Sequence, residues 1–149
     1  MKIKSIKYIK YPVILICLTI CISGVRWLVS SEPWMLDQLA NEERLKMSFT
    51  ELFLIEGNST LAEYLTQIYR FLGLYVLGTG LTFLLLMSDD FFKNTKFIKR
   101  LLIILGILLF SNLILAYVWI PASHFIFLMW GAILLYFFSV YNFLNNHFK

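Results

Sequence analysis

The chain has 149 residues, of which 60% are hydrophobic, 17% aromatic and only 15% charged, with a formal net charge of +4. Soluble domains hold roughly 45–50% apolar and about 25% charged residues, so these proportions exclude a soluble globular domain and point to a membrane protein. The positive excess is no nucleic-acid patch, because the lysines and arginines separate by segment along the chain; no nucleic-acid partner is expected.

Four apolar stretches, about residues 11–30, 61–88, 97–120 and 125–144, each reach the ~20 residues that a helix needs to cross about 30 Å of hydrocarbon. None alternates polar and apolar residues as a barrel strand would. The expected fold is all-α: a four-helix transmembrane bundle with short extracytoplasmic helices between spans one and two. The connections are too short for a second core, so residues 1–149 are expected to form a single integral membrane domain.

The first span, "YPVILICLTICISGVRWLVS", follows the basic run "MKIKSIKYIK". It lacks a small-x-small cleavage site and outruns the roughly 7–15 apolar residues of a signal peptide, so an uncleaved span is expected. Thr19, Ser23, Arg26 and Ser30 share one face of this helix, and Cys17, Cys21 and Gly24 share the opposite one; the sequence does not choose which is buried. Arg26 lies a turn from the span's end, where a long cationic side chain can reach the interface by itself. The cysteines read as small packing residues rather than a disulfide or a redox motif.

Residues 31–60 read as more ordered than a linker. Pro33 suits a first helical turn, and Ser48 with Glu51 and Thr60 with Glu63 both match the capping-box pattern. Gly57 stands where a helix end favours positive φ. Helices are expected over about residues 33–46 and 49–56, with span two starting at Leu61. Trp34, Leu39, Phe49, Phe53 and Leu54 give these helices apolar surface. They would either fill the top of the bundle or cover a ligand entrance.

Span two, "EYLTQIYRFLGLYVLGTGLTFLLLM" after its first two residues, carries Arg70. At 100° per residue, Glu63, Thr66, Arg70, Gly73, Leu77 and Gly80 share a stripe. Small residues mark close helix approach in lipid, so Arg70 is expected to face the bundle or a wet crevice. It lies nine residues after Leu61, about 13 Å along the axis. Arg26, Arg70 and Asn112 of span three could therefore occupy one slab of the outer leaflet, as a site for a lipid headgroup, a quinone or an anion requires. The candidate ligand-binding residues are Arg70, Glu63, Gln67, Asn112 and Arg26; a structural lock, with Arg70 paired to Glu63, Gln67 or Asn112, is the competing reading.

Orientation follows from charge. Lys2, Lys4, Lys7 and Lys10 precede span one, Lys93, Lys96, Lys99 and Arg100 separate spans two and three, and Lys149 ends the chain. The segment between spans one and two has only Arg44 and Lys46 against six carboxylates. Both termini are thus expected in the cytoplasm.

Other chemistry is thinly represented. His124, in the outer "PASH" turn, and His147, in the tail, fall on opposite sides, so no metal site is expected. Ser123 reads as the N-cap of span four rather than a nucleophile. No phosphate-cradling glycine loop is present, and no cofactor is expected. "NST" at Asn58 matches the glycosylation pattern. Uninterrupted, unrepeated spans argue against a single-copy transporter.

The segment "YRFLGLYVLGTGL", with the basic loop and two spans that follow, resembles the DoxX-like four-helix bacterial membrane proteins at Arg70, Gly73, Gly78, Gly80 and Leu81. Span three has "LLFSNLILAY" where that family carries glycine and arginine. The resemblance implies the fold and a bacterial inner membrane, and it brings no activity. The expected function is non-enzymatic: an accessory subunit, or a binder of a lipid-like molecule in the outer leaflet. The expected partners are membrane lipid, a lipid-like small molecule or another membrane subunit. The alternatives are a quinone-linked redox partner or enzyme, and an oligomeric pore subunit.

Overall fold

In an apolar run no water competes for backbone groups and every N–H must find its partner within the helix, so such runs fold as long helices. The computed structural model describes the backbone of residues 3–147 and the side chains of residues 6–146. Of the residues named above, Lys2 and Lys149 and the side chains of Lys4 and His147 lie outside the described residues. The described chain is α1 (Ile3–Val29), a 3-10 turn (Pro33–Asp37), α2 (Gln38–Leu45), α3 (Phe49–Leu54), α4 (Leu61–Leu85), α5 (Asp89–Phe92), α6 (Thr95–Trp119) and α7 (Phe125–His147), with no strand among these residues. Helices α1, α4, α6 and α7 are each long and apolar enough to cross a membrane.

Several boundaries differ from expectation for identifiable reasons. Helix α1 begins at Ile3, not near residue 11, and runs through Pro12. Ile9 and Val13 are fully buried, and Lys10 pairs with Asp89, so tertiary contacts hold the helix across the proline. Pro12 offers no N–H to the Tyr8 carbonyl. One residue further on, the fully buried Ser139 of α7 sets its hydroxyl 3.2 Å from the Ile9 carbonyl and 3.1 Å from that of Leu135.

The expected helix from residue 33 is a 3-10 turn followed by α2, with Pro33 in the first turn as its ring requires. Lys46, at φ 59°, closes α2. The Ser48–Glu51 capping box forms, and Gly57 takes φ +93°. The Thr60–Glu63 box does not form: Thr60 sits at φ −103°, ψ 0°, and its side chain makes no cap bond. A turn bond from the Leu61 N–H to the Asn58 carbonyl, 3.0 Å, starts α4 instead. Ser88 accepts from the Phe91 N–H to cap the short α5, and Asn94 accepts from Lys96 and Phe97 to start α6.

Helix α1 packs along α4 and also against α7, and α6 packs against α7, whereas α4 and α6 make at most marginal contact. At the end carrying the termini, Ile9, Val13, Phe83, Met87, Phe92, Ile98, Leu102 and Phe143 belong to one buried core. At the opposite, crown end, residues 30–60 pack on α1 and α4 through the 3-10 turn. The α1–α4 contact rests on small residues: a Cβ on Gly24 would lie 2.8 Å from the Gly73 carbonyl oxygen, and one on Gly80 would lie 2.6 Å from Cys21 Sγ. The Cys17–Cys21–Gly24 face of α1 is therefore the one against α4. Outward faces stay apolar, with Leu15, Ile22, Ile107, Ile114, Phe127 and Leu134 all exposed.

Candidate functional site

Large side chains fill the termini end, whereas the crown half encloses a space whose lining includes several small residues. Thr19 and Ser23 of α1, Thr79 of α4, Ala116 of α6 and Ala132 of α7 stand around a cavity of about 590 Å³ between α4 and α6. Its walls are mostly apolar: Ile16 and Trp27 from α1, Leu72 and Val76 from α4, Leu105, Leu108 and Leu109 from α6, and Leu128 and Met129 from α7. Helices α4 and α6, which make at most marginal contact, flank the cavity on two sides.

The crown forms the roof, where Pro33, Asp37 and Asn41 join the lining. Asp37 Oδ1 lies 3.1 Å from His124 Nδ1, which ties the 3-10 turn to the α6–α7 connection. Asn41 Nδ2 donates to the Trp34 carbonyl at 2.9 Å and to the Tyr69 hydroxyl at 3.3 Å. The Arg44 guanidinium lies over the Trp119 ring, 4.8 Å from its centroid. Trp34 packs edge-on to Phe53 at 5.5 Å, so the crown has a small aromatic core of its own.

Deeper polar groups are satisfied on their own helices. Thr19 donates to the Leu15 carbonyl at 2.9 Å, Thr79 to Tyr75 at 2.8 Å and Asn112 to Leu108 at 2.8 Å. Such i−4 bonds satisfy the donor of a hydroxyl, and one of the two donors of an amide, on an apolar helix. Ser123 Oγ accepts from the Phe125 N–H at 3.2 Å, the capping role its position predicts.

The sequence-derived candidates do not converge. Asn112 lines the cavity. Glu63, Gln67 and Arg70 lie together elsewhere, on an open groove of about 490 Å³ shared with Leu28, Thr66, Phe71 and Leu74. Arg26 lines neither space. Arg70 is exposed and has no hydrogen-bond or ion-pair partner among the described residues, so the expectation that it shelters among helices is corrected.

The reason is geometric. Gly24 and Gly73 mark one level of an antiparallel pair, yet α1 ends at Val29 while α4 begins at Leu61. At 1.5 Å per residue, α4 stands about 10 Å proud of the end of α1. Arg70 lies three residues above Gly73, level with Trp27 and so still beside α1, and it lines the groove shared with Leu28 rather than the seam. The stripe is a close helix contact at Gly73 and Gly80, whereas at Arg70 it is exposed.

Asp37, Asn41 and Tyr69 were not legible as site residues. Asp37 reads in sequence as one more carboxylate of an acidic segment, and its partner His124 lies far along the chain. No group of three or more potential metal ligands occurs among the described residues. Comparison with models of known protein families, with curated proteins and with solved structures returns no match for this chain.

Proposed function

We propose that the chain is a multi-pass membrane protein, a four-helix transmembrane bundle with its crown outside and both termini in the cytoplasm, that binds one lipid-like molecule without transforming it. The observation that carries this reading is the cavity of about 590 Å³ lined by all four long helices and the crown, within the roughly 300–1,000 Å³ typical of small-ligand sites. A mostly apolar wall with polar groups at one end suits an amphipathic occupant, and the gap between α4 and α6 gives it a sideways path from the bilayer.

Charge supports the orientation: Lys7, Lys10, Lys93, Lys96, Lys99 and Arg100 gather at the termini end. Trp27, Trp119, Arg26 and Arg70 near the crown suit the opposite interface, where indoles and snorkelling arginines collect. On this reading Arg70, Glu63 and Gln67 meet lipid headgroups outside the cavity. The DoxX-like resemblance fits the same architecture and a bacterial inner membrane. The packed core at the termini end argues against a pore through one copy.

Native mass spectrometry of the gently solubilised protein tests the proposal. A bound lipid-like mass is expected, and Ala132→Phe, which fills the cavity, should remove it. A redox-active quinone as that mass would favour the redox reading. Ligand-free protein in both forms would contradict the proposal.

A further inference from the structure

We infer that the occupant of this cavity has a head that donates hydrogen bonds and bears no negative charge, a hydroxyl or an amine rather than a phosphate or carboxylate. The inference rests on the cavity reading above and adds the chemistry of the ligand's polar end.

Among the described residues lining the cavity, Asp37 alone is charged. Its side chain is only 11% exposed, and apolar walls lower the local dielectric, so its field acts strongly on whatever lies beneath the roof. Arg26, Arg44 and Arg70 all stand outside the lining, so no cation is placed to receive an anionic head. His124 takes Asp37 Oδ1 from outside the lining, at 3.1 Å. A carboxylate has about four lone-pair sites, and one imidazole contact leaves most of them for a donor.

The neutral groups offer both donors and acceptors, so the charge of Asp37 decides the matter. The hydroxyl hydrogens of Thr19 and Thr79 and one N–H of Asn112 are engaged with their own helix carbonyls, and both N–H groups of Asn41 with Trp34 and Tyr69. What remains open on these residues are oxygens, which accept, and the second Asn112 N–H, which donates. The Ser23 and Tyr75 hydroxyls serve either way, and the Tyr69 O–H and the indole N–H groups of Trp27 and Trp119 add donors but no positive charge. A phosphate at the roof would meet the Asp37 carboxylate with no cation in the lining to offset it. A hydroxyl or ammonium would meet partners, with its hydrocarbon leaving between α4 and α6.

The test is a native mass spectrometry titration of the full chain at neutral pH with three probes: dioleoylglycerol, sphingosine and dioleoyl phosphatidic acid. Dioleoylglycerol and sphingosine should bind in competition and be lost in Ala132→Phe, with phosphatidic acid at least about tenfold weaker. Asp37→Asn should weaken sphingosine about tenfold or more while leaving dioleoylglycerol bound, which shows that the crown still folds. Asp37→Glu should restore the amine. Phosphatidic acid binding most tightly, in a manner sensitive to Ala132→Phe, would overturn the inference and leave the cavity reading standing. So would unchanged sphingosine affinity in Asp37→Asn. If Ala132→Phe displaces none of the three, the cavity reading fails and this inference falls with it.

Discussion

Gly24 and Gly73 meet at a point where neither helix has room for a methyl group: a Cβ on Gly73 would lie 2.8 Å from the Gly24 carbonyl oxygen and 3.0 Å from the Leu28 nitrogen. Those neighbours are backbone and cannot step aside alone. Gly73→Leu should therefore lower stability by about 1–3 kcal/mol, as over-packing does, and reduce the apparent melting temperature in detergent. Gly78→Ala is the control, since nothing lies within 4 Å of its added carbon. Equal effects of the two changes would contradict the packing described. The stripe of small residues was legible in the sequence because close approach in lipid selects for them. The fate of Arg70 was not, because it depends on how closely α1 and α4 sit at that level, which the stripe on one helix does not determine. An exposed arginine with no partner adds little to stability, so Arg70→Ala should shift the unfolding free energy by no more than about 0.5 kcal/mol. A loss of several kcal/mol in thermal unfolding would restore the structural lock.

At the scale of elements, the local capping rule held at one helix start and failed at another. Helix α3 starts at Ser48 because the Ser48 side chain accepts from the Glu51 N–H while the Glu51 carboxylate accepts from the Ser48 N–H at 2.8 Å. Hydrogen bonds from Ser48 hold the Glu51 carboxyl below its ordinary value of 4.5. Because the folded value is the lower one, this contribution is complete above pH 4.5 and fades as pH falls through the folded value. Backbone carbon shifts of residues 49–54, followed by NMR, should lose helical character on acidification. In Glu51→Ala that character should be reduced already at neutral pH and respond less to acid; an unchanged pH response would show that another group is responsible. The equally good pattern at Thr60–Glu63 failed because Asn58 had already closed a turn onto Leu61, which left Thr60 without the extended backbone a cap needs. The start of span one differed as well: expected near residue 11, it lies inside α1, which runs through Pro12 because Ile9, Val13 and Ser139 hold the helix on both sides.

For the molecule as a whole, four apolar helices and their approximate limits could be read from length and hydropathy alone, and the polarity of the loops suggested an orientation. The cavity could not. It exists because α1 packs on both α4 and α7 while α4 and α6 stay apart, with Thr19, Ser23, Thr79, Ala116 and Ala132 leaving room among larger neighbours. Each of those residues has an ordinary explanation taken singly; only their convergence makes a space. The proposed orientation predicts that a reporter fused after residue 149 is active in the cytoplasm, and activity on the outer side would reverse the topology. The most direct measurement is photolabelling of the protein in nanodiscs with a long-chain alcohol bearing a diazirine near its hydroxyl, mapped by peptide sequencing. Adducts should fall on cavity-lining Leu109, Ala116 and Met129, and Ala132→Phe should abolish them. Adducts confined to outward-facing positions such as Ile107 and Phe127, with no change in that variant, would contradict the account.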